Sequence, residues 1–279
     1  MTRRPGMALI QALLIVAALA AVAAALMQRT GRATERLAWH QQAAQAALYL
    51  DGGVEQLRAM LPGEGPVTLR QPWAQPRAGV RIGDATLSWQ VEDLQGRFNL
   101  SVLLADPDEV WRDAFVRLAR SQGLPASLAR RIAARFAAQR GLSPAAPWSL
   151  PGDAGDGADL VAQLAVWPPQ DGFNINTLSP PVLAALVPAL PEATRSAILR
   201  HVAREPVADV PALIDWVQRT QGEGPATLMS LLPLTTGSHW FLARLEVRLD
   251  SLVLRRSVVL RSGGPTGRSA VILSMPEFD

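Results

Sequence analysis

Cysteine is absent from the 279 residues. That excludes a disulfide framework, a thiolate metal site and a cysteine nucleophile, and it leaves the compartment open. Lysine is absent too, so every basic side chain other than histidine is arginine. The formal charge is only +3, and the sequence pI near 10.7 therefore reflects arginine usage more than a large basic excess. Histidine is sparse. His40, His201 and His239 stand far apart, and none sits in a His-Glu-x-x-His spacing. No Gly-x-Ser-x-Gly nucleophile turn occurs. The glycine-rich stretch Gly263-Gly264-Pro265-Thr266-Gly267-Arg268 lacks the Lys-Ser/Thr that holds phosphates, and it reads as a loop. The expectation is a protein without enzymatic chemistry.

What is present begins with one long apolar run. From Met7 to Met27 the chain is uncharged, with Gln11 its only strongly polar residue. As a helix this run is roughly 30 Å long, the thickness of a bilayer's hydrocarbon core. Three readings compete: a secretory signal peptide with a cleavage site among Ala23, Ala24 and Ala25, a plain uncleaved anchor, and a prepilin-type leader cut before the apolar helix. Gly6, placed directly against the run, favours the third. Orientation by charge is undecided, with Arg3 and Arg4 on one side and Arg29, Arg32 and Arg36 on the other.

Beyond the run, Ala43, Ala47, Leu50, Val54, Leu57 and Leu61 recur at steps of four and three, one stripe of an amphipathic helix. Gly31 and Gly52-Gly53 interrupt the pattern, and Pro62-Gly63 stops it. One helix is thus predicted over residues 7–61, its segment 7–27 in the membrane. Strand periodicity follows: Leu87, Trp89 and Val91 alternate with Ser88, Gln90 and Glu92 after a Gly83-Asp84 turn. Residues 106–238 read as helical, with segments at 108–122, 125–140, 159–166, 180–187, 192–204 and 210–221. Strands return over 241–249, 252–260 and 270–274. The expected fold class is α+β: a long N-terminal helix on an antiparallel sheet, interrupted by a large all-α inserted domain. The sheet is completed from residues 62–105 and 239–279.

Four motifs then carry a resemblance. They are Gly6-Met7-Ala8-Leu9-Ile10, Asp93-Leu94-Gln95-Gly96-Arg97-Phe98-Asn99-Leu100, Phe173-Asn174-Ile175-Asn176-Thr177 and Ser238-His239-Trp240-Phe241. In this order and spacing the chain resembles the K-type minor pseudopilin of the type II secretion system, the general secretion pathway protein K family. The resemblance implies a pilin-like fold and a leader of residues 1–6 removed between Gly6 and Met7 by a prepilin peptidase. It also implies a methylated new amino terminus, anchorage in the inner membrane with the soluble part in the periplasm, and assembly with I- and J-type minor pseudopilins. Secreted cargo is a further partner left open.

In most pilin-like proteins the fifth residue after the cut is Glu; here it is Gln11, which cannot neutralise an ammonium. That agrees with a subunit at a tip, with nothing above it to dock onto. A merely tolerated polar residue is the other account. The alternative function is a membrane-tethered helix-hairpin-helix DNA-binding protein of the competence-receptor kind, which carries a similar Asn-Thr helix opening. Its phosphate-binding hairpin is glycine-rich, whereas Val187-Pro188-Ala189-Leu190-Pro191 has no glycine and two prolines without an amide donor. No nucleic acid is expected. No cofactor is expected either, with calcium the one open metal. Asp153, Asp156 and Asp159 are spaced three apart on a loop, but the family's longer acidic segment is not recognisable, and Asp159 as a helix cap is preferred.

Overall fold

A computed structural model describes residues 5–105, 109–149, 157–263 and 269–277. The side chains of residues 5–12, and of a few others in the first helix, lie outside the described residues. Helix α1 runs Pro5–Met60 and ends at Pro62-Gly63. Strands β1 (Arg77–Ile82) and β2 (Ala85–Asp93) form a hairpin whose Gly83 has φ of 57° and lies against the Tyr49 hydroxyl. Both the left-handed backbone and that close approach exclude a side chain there.

The chain then enters a helical block. In order it contains β3 (Phe98–Asn99), α2 (Val110–Ser121), α3 (Ala126–Ala137), α4 (Gly157–Ala162), β4 (Leu164–Ala165), β5 (Phe173–Asn174), α5 (Pro180–Leu186), α6 (Glu192–Arg204), α7 (Val210–Gln221), α8 (Glu223–Ser230) and β6 (Leu234–Thr235). It returns through β7 (Trp240–Leu249), β8 (Leu252–Arg261) and β9 (Ala270–Glu277). The main sheet has the order β1-β2-β7-β8-β9 and is antiparallel throughout. Asp93, the last residue of β2, pairs with Phe241 near the start of β7. Strands separated by the whole helical block are therefore direct neighbours, and the block leaves and rejoins the sheet at one place.

The two faces of the sheet have different covers. On one, Ala46, Leu50, Val54, Leu57 and Leu61 pack on Leu87, Val91, Phe241, Ala243, Leu245, Val247, Val258 and Leu260. Burying each large aliphatic side chain contributes about 1.5–3 kcal/mol. Ala43 and Ala47, expected in this stripe, are half-buried, and Ala46 takes the inward position. Gly53 explains the shift. It lies within the helix, not at a break, and a Cβ there would meet Leu245 at 2.9 Å and Leu87 at 3.0 Å. The helix comes nearest the sheet at that point.

On the other face, Trp240, Leu242 and Val259 join the core of the helical block, where Phe98, Phe115, Trp167 and Phe173 are fully buried. The expectation of an all-α insertion needs correction. Two short parallel pairs, β3 with β4 and β5 with β6, cross the block. Two-residue strands carry no alternation to read, which is why they escape the pattern. Helix α8 was also not anticipated, whereas α6 and α7 occupy the segments expected for them.

Candidate functional site

Where the block meets the sheet, four chain segments converge on one buried carboxylate. Asp93 is 6% exposed. Its Oδ2 accepts from Asn174 Nδ2 at 2.8 Å, Thr177 Oγ1 at 2.6 Å and Ser238 Oγ at 2.6 Å, and its Oδ1 accepts from the Gln95 amide at 2.9 Å. Asn174 Nδ2 also donates to the Val67 carbonyl at 3.0 Å, tying in the loop after α1. Gln95 faces outward from this centre. It donates to the carbonyls of Asp171 and Gly172, at 2.9 and 3.1 Å, and accepts from the His239 amide at 2.6 Å.

Local rules place these groups. Asp93 caps the tight turn after β2 by bonding two residues on, as an Asx turn does. Asn174 repeats the device: its Oδ1 accepts from the Asn176 amide at 3.0 Å. Asn99 does so a third time, accepting from the Ser101 amide at 3.0 Å and donating to the Trp167 carbonyl at 2.9 Å. Asn176 spans to Val207, donating to its carbonyl at 3.0 Å and accepting from its amide at 2.8 Å. Gly96 has no side chain because a Cβ would run into the Thr177 carbonyl oxygen.

Electrostatics at the junction follow from burial. Loss of water pushes the Asp93 carboxyl above its usual carboxylate value, against the four hydrogen bonds, which hold it down. Arg97 is lowered by burial, opposed by the attraction of Glu92. Glu92 is shared by the guanidinium groups of Arg97 and Arg244. On the neighbouring strands Glu246 accepts from Arg255 at 2.7 Å and Arg248 at 2.6 Å, which lowers its pKa. The site is a polar clasp. Its donors and acceptors are spent on joining the block to the sheet.

Three of the four sequence motifs meet here, the segments opening at Asp93, Phe173 and Ser238. Their convergence was not expected from sequence, although an Asp ending a strand and two Asn-x-Asn or Asn-x-Ser runs are the usual marks of side chains bonding to nearby backbone. The processing pair Gly6 and Met7, and Gln11, fall in α1, but their side chains lie outside the described residues. Asp153 and Asp156 lie outside them altogether. Asp159 is exposed in the first turn of α4, not at a capping position before it. Among the described residues, no three His, Asp or Glu side chains gather as a metal site.

In the hairpin 187–191 the Leu190 amide donates to the Val187 carbonyl at 3.2 Å, and the Arg195 guanidinium turns back onto the Leu190 carbonyl. The apolar run 7–27 is only partly covered by described side chains. Taken over the described residues alone, no helix is long and apolar enough to cross a membrane.

A helix laid on an antiparallel sheet, with a second body rooted between β2 and β7, is an arrangement shared with a solved structure. The particular likeness is to a chain of a crystal structure, the GspK-GspI-GspJ complex from the type II secretion system of enterotoxigenic Escherichia coli. The two share 20% sequence identity and a TM-score of 0.71, over 88% of this chain and 100% of that one. Neither a family model nor a curated protein matches the sequence.

Proposed function

We propose that this chain is a minor pseudopilin at the tip of a type II secretion pseudopilus, acting in assembly and protein export. The observation that carries the reading is the fold match, which extends over 88% of this chain and 100% of the other. The matched structure is a complex of three pseudopilins, and the corresponding partners of this chain are I- and J-type subunits. Its role is assembly, not catalysis.

The N-terminal segment fits the same reading. Leu13, Leu14, Ile15, Val16, Leu19 and Val22 are 57–68% exposed on α1, a surface that water disfavours and lipid covers. In this proposal a prepilin peptidase cuts between Gly6 and Met7, the new terminus is methylated, and the helix holds the subunit in the inner membrane with its head in the periplasm. Gln11, uncharged at the fifth position from Met7, is unable to neutralise the ammonium of a subunit above, which suits a terminal position. The head, widened by the helical block, leaves room for subunits only beneath it.

Amino-terminal sequencing of the mature protein tests the reading. It is expected to begin at Met7. A start near Leu26 would instead assign a secretory signal, and an intact stub a plain anchor; either result overturns the proposal.

A further inference from the structure

The helical block is electrically lopsided. Residues 114–152 hold six arginines and no Asp or Glu, whereas residues 192–230 intersperse four arginines with five carboxylates. Mixed signs are the ordinary pattern for a face that only meets water. Helix α3 departs from it. Ala129, Ile132, Ala133 and Phe136 are buried in the core, and Arg130, Arg131 and Arg135 are exposed on the outward side. Among the described residues none of these three has a carboxylate at ion-pair distance.

Fold stability does not explain the cluster. Arg135 lies in the last turn, where the helix dipole favours a cation. Arg130 and Arg131 sit mid-helix without that benefit, and Arg131 repels Arg135 four residues on. Arg117, by contrast, is used internally, donating to the Ala185 carbonyl at 2.9 Å.

We propose that the outward face of α3, carrying Arg130, Arg131 and Arg135, docks a carboxylate-rich face of another protein. The inference goes beyond the function proposed above and does not require it. Guanidinium forks match carboxylates in paired hydrogen bonds, and the unbalanced charge supplies the complementarity. The exposed residues between the arginines are small, Ser127, Ala134 and Ala138, so a folded partner can approach closely. They offer no apolar wedge for a bilayer, since the helix has committed its large side chains to the core. A nucleic-acid duplex, the other polyanion a cationic face meets, is an outcome of the test below.

The test uses the full chain in detergent and a fluorescent peptide of alternating Glu and Ser, followed by polarisation. The peptide is expected to bind and to weaken as salt rises. Binding is expected to fall by about tenfold or more in the R130Q/R131Q/R135Q variant and to stay within about twofold in a R200Q/R219Q control. Hydrogen exchange on the unmodified chain is expected to show peptide-dependent protection at α3, a readout independent of how the variant folds. Absence of binding, an unaffected triple variant, or protection elsewhere overturns the proposal. So does displacement of the peptide by phosphatidylglycerol vesicles or a short DNA duplex at lower charge concentration.

Discussion

Asp93 is the residue on which the junction turns. An amide in its place has one acceptor oxygen, whereas the carboxylate serves donors on both oxygens. If the amide oxygen faces Asn174, Thr177 and Ser238, its NH₂ opposes the Gln95 amide; if it flips, three donors lose their partner. Asp93→Asn is therefore expected to destabilise the folded chain by about 1–3 kcal/mol, read from urea unfolding. The same residue sets a pH dependence. Its folded pKa is raised by burial, so between the ordinary carboxylate value and the raised one the folded state binds more protons than the unfolded. Stability from this group is complete below that window and falls as pH rises through it. Glu246 acts oppositely, its lowered pKa giving stability that is lost as pH falls through it. Stability measured against pH is expected to lose the Asp93 decline in the Asn variant while keeping the acid-side loss. An unchanged profile would show that Asp93 titrates alike in the folded and unfolded chain.

Two adjacent glycines separate packing from propensity at the level of the element. Gly52 has nothing within 4 Å of a built Cβ, whereas Gly53 abuts Leu87 and Leu245. Gly52→Ala is expected to stabilise by about 0.5–1 kcal/mol through helix propensity. Gly53→Leu is expected to cost about 1–3 kcal/mol by forcing the helix off the sheet. Thermal melts of the two variants that shift in the same direction would contradict the crossing described. Sequence alone marked both residues as an interruption, because glycine spacing says nothing about a neighbour's surface. It located α6, α7 and the long strands well, since their periods extend over many residues. The two-residue parallel pairs and the Asp93 clasp were beyond it: each depends on residues tens to more than a hundred positions apart, such as Asp93 with Ser238.

Over the whole molecule, β2 and β7 already pair side by side, so the sheet has no geometric need of the block between them. If the proposed function holds, removing residues 106–238 is expected to leave membrane insertion intact while weakening a restriction to tips, read by the position of labelled subunits along the fibre. A truncated chain still found only at tips would sink the steric account. The order of helix, strands, helical stretch and strands already implied a sheet interrupted in sequence. What that order did not reveal is how the block is fastened. Its attachment is polar and centred on one acid, and it is supplemented by Trp240, Leu242 and Val259 on the far face of the sheet.

The adjacency of Asp93 and Phe241 also has a mechanical meaning. Tension applied between the two ends of the polypeptide passes across the β2–β7 ladder, and the intervening domain hangs beside the line of force as an unloaded loop. Only when that ladder shears does the load enter residues 94–239. A chain loaded through its ends can thus keep the helical block folded while the sheet bears the strain.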